Sequence, residues 1–221
     1  MKIFTTLFSL LFLFCAYGQV DDPRSKKIID DMAARFKSYP SVSIDFSATI
    51  MQRNQSVTEM TGKIWVKGSN MYKLELPEMV ISSDGTKIYQ HQLEVKEVII
   101  QKLDPNEDDG YFQLLNPQSY FNISSKSFNS NLVRESTHNN RRVSEIDLYP
   151  IQLKTTQFSR IRIMIERTTL QIAYLKVFMK DEIQYELNFK PYDIQQTPLR
   201  DSFFTFNRLL FPNVEVIDLD F

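Results

Sequence analysis

The stretch GKIWVKGSNMYKLELPEMVISSDGTKIYQ, residues 62–90, places apolar side chains at alternate positions on either side of the turn-like segment KGSN. Successive side chains of a β-strand point to opposite faces of the sheet. This alternation therefore predicts short antiparallel strands with one apolar and one solvated face. The stretch contains no histidine, cysteine or carboxylate pair in a catalytic pattern. Its alternating apolar residues are Ile64, Val66, Tyr72, Leu74 and Leu76.

Three further segments have the same period of two, at residues 42–52, 160–166 and 182–189. Turn-forming residues separate such segments, as in SSDG at 82–85 and THNN at 137–140. The chain therefore predicts an antiparallel sheet of about ten or eleven strands, in which one face of each strand is buried.

One amphipathic helix precedes the strands. Asp22 and Pro23 form a favourable N-cap and first helical position, and Pro40 ends the run. The apolar residues between them recur at spacings of three and four, which is typical of a helix with a single apolar stripe. They are Ile28, Ile29, Met32, Ala33 and Phe36.

The segment DPNEDDGYFQLLNPQSYF, residues 104–121, breaks the strand pattern. It is too long for a hairpin loop and rich in aromatic residues, which favours one or two short helices with apolar faces. A sheet of this length curls, and helices over its concave side would bury both apolar surfaces, so the fold class is mainly β with helices, α+β. The pattern alone does not separate a packed core from a cavity beneath those helices.

The first 18 residues have the pattern of a cleaved signal peptide, with one lysine, an apolar run, and small residues at Ala16 and Gly18 before the cleavage site. We expect a single domain over residues 19–221, located in the periplasm, because secretion without disulfides suits a bacterial periplasm better than a small animal extracellular domain. A retained membrane anchor is one alternative, and the short apolar run argues against it. Lipidation of Cys15 is another, and the bulky Phe14 before it argues against that.

The composition argues against several classes of function. A net charge of −1 gives no bulk attraction to nucleic acid. The two histidines, His91 and His138, lack metal-ligand spacing, and no nucleophile motif or glycine-rich phosphate loop is present. The acidic run DPNEDDG at 104–110 does not match a calcium-binding loop. We expect no enzymatic activity, no metal, no cofactor and no nucleic-acid partner.

Several motifs follow one another in a characteristic order. GKIWVKGSNMYKLELP at 62–77 precedes VISSDGTKIYQHQLEVKEVII at 80–100, and FFTFNRLLFPNVEVID at 203–218 closes the chain. The start, IIDDMAARFKSYPSVSIDFSATI at 28–50, fits the same series. In this order and spacing the chain resembles the periplasmic outer-membrane lipoprotein carrier family, the LolA-like proteins, over nearly all of its length after the signal peptide.

The resemblance implies an unclosed, strongly curved antiparallel β-barrel with a helical lid covering the concave apolar face. It implies a monomeric carrier that ferries acylated lipoproteins from the inner to the outer membrane. The implied partners are the inner-membrane lipoprotein-releasing ABC transporter and an outer-membrane acceptor or membrane surface. Acyl chains need such shielding, because each methylene removed from water is worth about 0.8 kcal/mol.

Apolar strand residues would then form the acyl-chain cavity, and apolar helix residues would form the lid. The predicted cavity residues are Phe46, Ile64, Val66, Tyr72, Leu74, Leu76, Ile100, Ile163, Tyr185 and Leu187. The predicted lid residues are Ile29, Met32, Phe36, Phe112, Leu115 and Phe121.

Gly68 is a departure from the family pattern. Family members carry an arginine after the WVK segment, and that arginine contacts the lid and helps to hold it closed. Here Gly68 occupies the position. Strand parity from Ile64 and Val66 predicts that Gly68 faces the cavity, so the latch is lost or supplied elsewhere.

A second hypothesis belongs to a different class of function. Related half-barrels act as lipid- or lipoprotein-sensing interaction modules that regulate a partner protein. Such regulators usually carry a second domain, and 221 residues leave no length for one. We therefore expect the carrier function, with the interaction module as its alternative.

Overall fold

The computed structural model of the chain describes residues 21–52, 55–68, 70–103 and 116–219. The predicted signal peptide lies outside the described residues, as does most of the segment 104–121, including Phe112 and Leu115. In the part of the chain that is described, no helix is both long enough and apolar enough to cross a membrane.

Thirteen strands form one sheet, which confirms the predicted fold class. The strands follow the order β13-β6-β5-β4-β3-β2-β1-β11-β10-β9-β8-β7, and β12 pairs with the start of β1. All pairings are antiparallel except that between β13 and β6. Because β13 and β7 stand at opposite ends of this order, the described strands form an open sheet and not a closed barrel.

The strand bounds account for the two or three strands beyond the number expected. β12 and β13 are three and four residues long, which is too short to carry an alternating pattern. The strands are β1 Ser41–Gln52, β2 Gln55–Lys67, β3 Met71–Glu75, β4 Met79–Asp84, β5 Lys87–Gln92, β6 Glu97–Lys102, β7 Phe128–His138, β8 Arg141–Pro150, β9 Phe158–Glu166, β10 Ile172–Met179, β11 Ile183–Phe189, β12 Asp193–Gln195 and β13 Glu215–Asp218.

The helix α1 spans Pro23–Lys37 and begins where the sequence predicts. The Asp22 carboxylate accepts a hydrogen bond from the Arg24 backbone N–H at 2.9 Å, which caps the helix. The Asp22 backbone N–H donates to the Ser130 carbonyl of β7 at 2.9 Å, and the Ser25 and Ser130 hydroxyl oxygens lie 2.6 Å apart. These bonds fix the start of α1 on an outer strand of the sheet. A second helix, α2, is a single turn at Gln118–Phe121.

The register identifies which side chains face the concave side, because paired residues on neighbouring strands point to the same face. Ile100 pairs with Tyr89, whose partner is Ser82, and this row lies on the convex face. The prediction that Ile100 faces the cavity is therefore wrong. Its neighbour Ile99 lies on the concave face, in a row that runs Ile44, Ile64, Leu74, Ile81, Gln90, Ile99 and Ile217.

The convex face of β2 to β6 is covered by the chain's own C-terminal segment, residues 196–214. The rings of Trp65 and Phe203 lie 5.5 Å apart, and those of His91 and Phe211 lie 4.8 Å apart. Phe204 is fully buried. This cover explains why the face of these strands that was expected to be solvated carries aromatic residues.

The convex face of β8 and β9 is held by ion pairs. Glu145 and Asp147 are buried, and Arg162 donates to Asp147 through two hydrogen bonds of 2.7 and 2.8 Å. Arg134 donates to Glu145 at 2.8 Å. The bond to Asp147 raises the pKa of Arg162 above its usual value. Each buried carboxylate thus has an arginine partner, which is the condition for keeping such a charge out of water.

Gly62 in β2 lies against the Phe46 ring and the backbone of β3 at Glu75. It pairs with Phe46 of β1, whose ring lies across it. A Cβ atom at residue 62 would lie 2.6 Å from the Glu75 carbonyl oxygen and 2.7 Å from the Phe46 ring. Gly62 therefore allows an aromatic side chain to lie flat on the concave face.

Replacing Gly62 with alanine should lower the free energy of unfolding by roughly 1–3 kcal/mol, the usual cost of overpacking. Equilibrium unfolding in urea measures the change. Gly68→Asn is the matched control, because a Cβ at Gly68 meets nothing within 4 Å and asparagine tolerates its φ of +61°. If Gly62→Ala were as stable as Gly68→Asn, the close packing of Phe46 on Gly62 would be contradicted.

Candidate functional site: a cavity on the concave face

A cavity of about 510 Å³ opens on the concave face over β1, β2, β3 and β11. This volume lies within the usual range of small-molecule sites, roughly 300–1,000 Å³. Most of the lining is apolar, with a few polar side chains among it. The lining residues are Phe46, Ala48, Thr49, Ile50, Thr58, Glu59, Met60, Ile64, Leu74, Leu76, Pro77, Glu78, Met79, Pro117, Tyr120, Tyr185 and Leu187.

The position of the cavity follows from side-chain size along one row of the sheet. Over β8 to β10 the row is made of Ile146, Ile163 and Leu175, which are all fully buried in the core. Across β11 the same row continues through Leu187 to Ala48 of β1. The small side chain of Ala48 fills less space than the branched residues before it, which leaves room above β1.

The short helix α2 stands between the packed core and the cavity. The Phe121 ring stacks on Phe36 of α1 with the centroids 4.4 Å apart, and it lies 5.8 Å from the Phe189 ring. The preceding residue, Tyr120, lines the cavity together with Pro117. The concave face therefore holds both a packed core and a cavity, which answers the question that the strand pattern left open.

Six of the ten predicted cavity residues line the cavity, namely Phe46, Ile64, Leu74, Leu76, Tyr185 and Leu187. Val66, Tyr72 and Ile163 are buried in the adjoining core on the same face, with exposed fractions of 2% or less. Ile100 lies on the convex face, as the register requires. It was misassigned because Val98, Ile99 and Ile100 are all apolar, so the run carries no alternation to read.

The predicted lid residues of α1 belong to the packed core and not to the cavity. Ile29, Met32 and Phe36 are buried in the same apolar cluster as the strands, and so is Phe121. None of the four lines the cavity. Phe112 and Leu115 lie outside the described residues. That these helices act as a movable lid stays a prediction.

Gly68 does not face the cavity. It lies in the exposed turn after β2, with a φ of +61°, and the space around its Cβ position is empty within 4 Å. The inward direction predicted from parity is wrong, because β2 ends at Lys67 and the chain turns at Gly68. The glycine is explained by the left-handed backbone that this turn requires.

Several lining residues were not predicted from the sequence. Ala48, Ile50 and Met60 share the parity of predicted residues on the same strands, so alternation could have found them. Pro77, Met79, Pro117 and Tyr120 come from a turn, a strand end and a helix, and they reach the cavity only through the tertiary structure.

The polar lining residues include two carboxylates and no cation. Glu78 is exposed at the rim, whereas Glu59 pairs with Thr49 and has the parity of the convex face. In the described part of the chain, no group of three or more His, Cys, Asp and Glu side chains is arranged to hold a metal ion. The cavity thus combines an apolar floor with an exposed carboxylate, that of Glu78, at its rim.

Two tyrosine hydroxyls are buried near the cavity without a hydrogen-bond partner among the described residues. They belong to Tyr120, which lines the cavity, and to Tyr72 in the adjoining core. Burial raises the pKa of both hydroxyls, and the charge that Tyr72 would carry on ionisation raises that of Tyr120 further. Both groups are therefore neutral donors in an apolar setting.

Tyr120→Phe should leave the free energy of unfolding unchanged or raise it, because the change removes an unpaired buried hydroxyl and keeps the ring. Tyr192→Phe is the matched control. The Tyr192 hydroxyl accepts a hydrogen bond from the Ile172 N–H at 3.0 Å, so its loss should cost about 1 kcal/mol. Thermal unfolding of both variants measures the difference. Equal losses in the two variants would mean that the Tyr120 hydroxyl is paired.

Comparison with solved structures places this fold among known ones. An uncharacterised conserved protein from Thermus thermophilus matches 88% of this chain and 99% of its own, with a TM-score of 0.56 and 8% identity. A putative outer membrane lipoprotein-sorting protein domain from Vibrio parahaemolyticus matches 85% and 98%, with a TM-score of 0.48 and 10% identity. The Mycobacterium tuberculosis lipoprotein LppX matches 79% and 100%, with a TM-score of 0.47 and 10% identity.

No curated protein matches the sequence. The model of one protein family does match, and its description is outer membrane lipoprotein carrier protein LolA. The match covers residues 37–207, which include β1 to β12 and every residue that lines the cavity. This chain, with its open curved sheet and its concave apolar cavity, belongs to the LolA family.

Proposed function

We propose that this protein binds the acyl chains of lipoproteins in the concave cavity and carries them through the periplasm from the inner to the outer membrane. The observation that carries the proposal is the cavity itself, which is 510 Å³ in volume and has an apolar floor. Ile64, Leu74 and Leu187 supply that floor. Hydrocarbon transferred from water to such a surface gains about 0.8 kcal/mol for each methylene.

The negative charge at the rim of the cavity favours an uncharged ligand over an anionic one. Glu78 is exposed at the rim and would repel the carboxylate of a free fatty acid. An acyl chain attached through an ester or amide bond carries no such charge. The acyl groups of a lipoprotein meet this condition, since their linkages are uncharged.

The proposed role is transport without a chemical reaction. In the lining, the Tyr120 hydroxyl is buried and neutral and Glu78 is exposed, so neither is an activated nucleophile. An inner-membrane lipoprotein-releasing ABC transporter would load the cavity. An outer-membrane acceptor or the membrane surface would receive the cargo.

Ala48→Trp should abolish acyl binding, because the indole would fill the space that the small Ala48 side chain leaves. The measurement is native mass spectrometry of protein purified from the periplasm, followed by transfer of the bound lipoprotein to outer-membrane vesicles. We expect wild-type protein to carry a triacylated lipoprotein and the variant to carry at least tenfold less.

Ser47→Trp is the matched control, since Ser47 is the preceding residue of β1 and is exposed on the opposite face. It should load as wild type does. Equal loading of Ala48→Trp and wild type would exclude this cavity as the acyl site. Recovery of a stable protein partner without any lipid would replace the carrier with the interaction module.

Reversing the charge of the rim should change the preference for the ligand head group. We expect Glu78→Lys to raise the affinity for palmitate relative to its methyl ester by about threefold, because a repulsive charge becomes attractive. Displacement of a fluorescent fatty-acid probe at neutral pH measures both affinities. An unchanged ratio would show that Glu78 does not sense the head group.

A further inference from the structure

Five exposed apolar side chains lie on two neighbouring turns at one end of the sheet. Leu209 and Leu210 belong to the 3-10 turn Arg208–Leu210 and are 89% and 71% exposed. Val95 is 67% exposed in the turn between β5 and β6. We call this group the apolar tip, and it consists of Leu93, Val95, Leu209, Leu210 and Phe211.

The two turns are held together by the fold. The Phe211 ring lies 4.8 Å from the ring of His91 in β5. The Glu215 N–H, just after the 3-10 turn, donates to the Lys96 carbonyl at 2.9 Å. These contacts hold the segment that carries Leu209 and Leu210 beside the turn that carries Val95, although the two are more than 100 positions apart in the sequence.

The turn that carries the two leucines is ordered. The Asn207 side chain accepts a hydrogen bond from the Leu209 N–H at 3.0 Å, and the Leu210 N–H donates to the Asn207 carbonyl at 3.1 Å. The rings of Phe206 and Phe211 stack with their centroids 5.6 Å apart. Leu209 and Leu210 are thus presented to solvent by a defined turn.

The apolar tip adjoins the rim of the cavity. The Leu93 N–H donates to the Glu78 carbonyl at 2.9 Å, and Glu78 lines the cavity between Pro77 and Met79. A surface that receives the apolar tip therefore comes to lie beside the cavity's rim.

The shape and charge of the apolar tip favour a lipid bilayer over a protein partner. Leu209 and Leu210 make few contacts with the rest of the protein, so burying them requires apolar surroundings on all sides. The hydrocarbon of a bilayer provides such surroundings without a preformed pocket. The exposed charges around them are mixed in sign, with Lys96 and Arg208 against Glu94 and Glu215. Attraction to an anionic surface is therefore balanced by repulsion, and insertion depends on apolar burial.

We propose that the apolar tip inserts into the surface of a lipid bilayer and brings the cavity rim to the membrane. This inference rests on the proposed function, because a carrier of acyl chains must meet the membrane that receives them. The apolar tip then shortens the path of the acyl chain through water between the cavity and the bilayer.

Flotation with vesicles tests the proposal. Wild-type protein should float with phosphatidylcholine vesicles, and adding 30 mol% phosphatidylglycerol or 0.5 M salt should change the bound fraction less than twofold, since the charges are balanced. Leu209→Ser combined with Leu210→Ser should lower the partition coefficient at least tenfold. Both residues are exposed, so circular dichroism and thermal unfolding should match wild type.

A matched control uses two exposed apolar residues elsewhere. Ile151 and Leu153 lie between β8 and β9 and are 55% and 49% exposed. Ile151→Ser combined with Leu153→Ser should bind vesicles as wild type does. The proposal is overturned if wild type fails to float, if the control loses as much binding as the Leu209/Leu210 variant, or if binding requires anionic lipid and disappears in salt.

The same variants separate this inference from the proposed function. Leu209→Ser/Leu210→Ser should load acyl cargo normally and lose vesicle binding, whereas Ala48→Trp should lose cargo and keep vesicle binding. Loss of vesicle binding in Ala48→Trp would overturn the independent role of the apolar tip. Normal cargo in Ala48→Trp with normal flotation would remove the proposed cavity function and leave the apolar tip as a membrane-binding surface.

Discussion

The apolar concave face of an open sheet is the constraint on which the rest of this structure depends. Twelve strands side by side extend about 53 Å along the sheet, whereas the 15 residues of α1 make a helix about 22 Å long. One helix of that length therefore covers only part of the face. It packs on the core side through Ile29, Met32 and Phe36, and α2 ends that packing at Phe121. The cavity lies on the part that α1 leaves uncovered.

The convex face carries polar and charged side chains, which need hydrogen-bond or ion-pair partners. Over β8 and β9, arginines pair with the buried carboxylates of Glu145 and Asp147. Over β2 to β6, the C-terminal segment covers the face with aromatic rings and returns as β13 to the edge of β6. The same segment contributes Leu209, Leu210 and Phe211 to the apolar tip. It therefore both covers the convex face and exposes apolar side chains to solvent.

The sequence predicted the fold class and the concave wall well where alternation is strict. In β1, β2, β3 and β11, apolar and polar residues alternate, and six predicted residues from these strands and the residue after β3 line the cavity. The prediction for Ile100 was wrong because three successive apolar residues show no alternation from which a face can be assigned. The prediction for Gly68 was wrong because side chains alternate only within a strand, and β2 ends one residue earlier. The apolar stripe of α1 was read correctly as buried, but its position over the core and not over the cavity depends on how the helix starts on β7.

The sequence by itself determined that this chain forms an amphipathic helix followed by strands with one dry face, because the periods of 3.6 and 2 residues are local properties of the backbone. The order of its motifs also identified the LolA family, to which the chain belongs. Only the tertiary structure decided where the apolar face is covered by a packed core and where it forms a cavity. That outcome depends on which side chains meet across strands far apart in sequence, such as Ala48 beside Leu187. The apolar tip was decided in the same way, since the pairing of β13 with β6 brings the segment that carries Leu209 back to the β5–β6 turn.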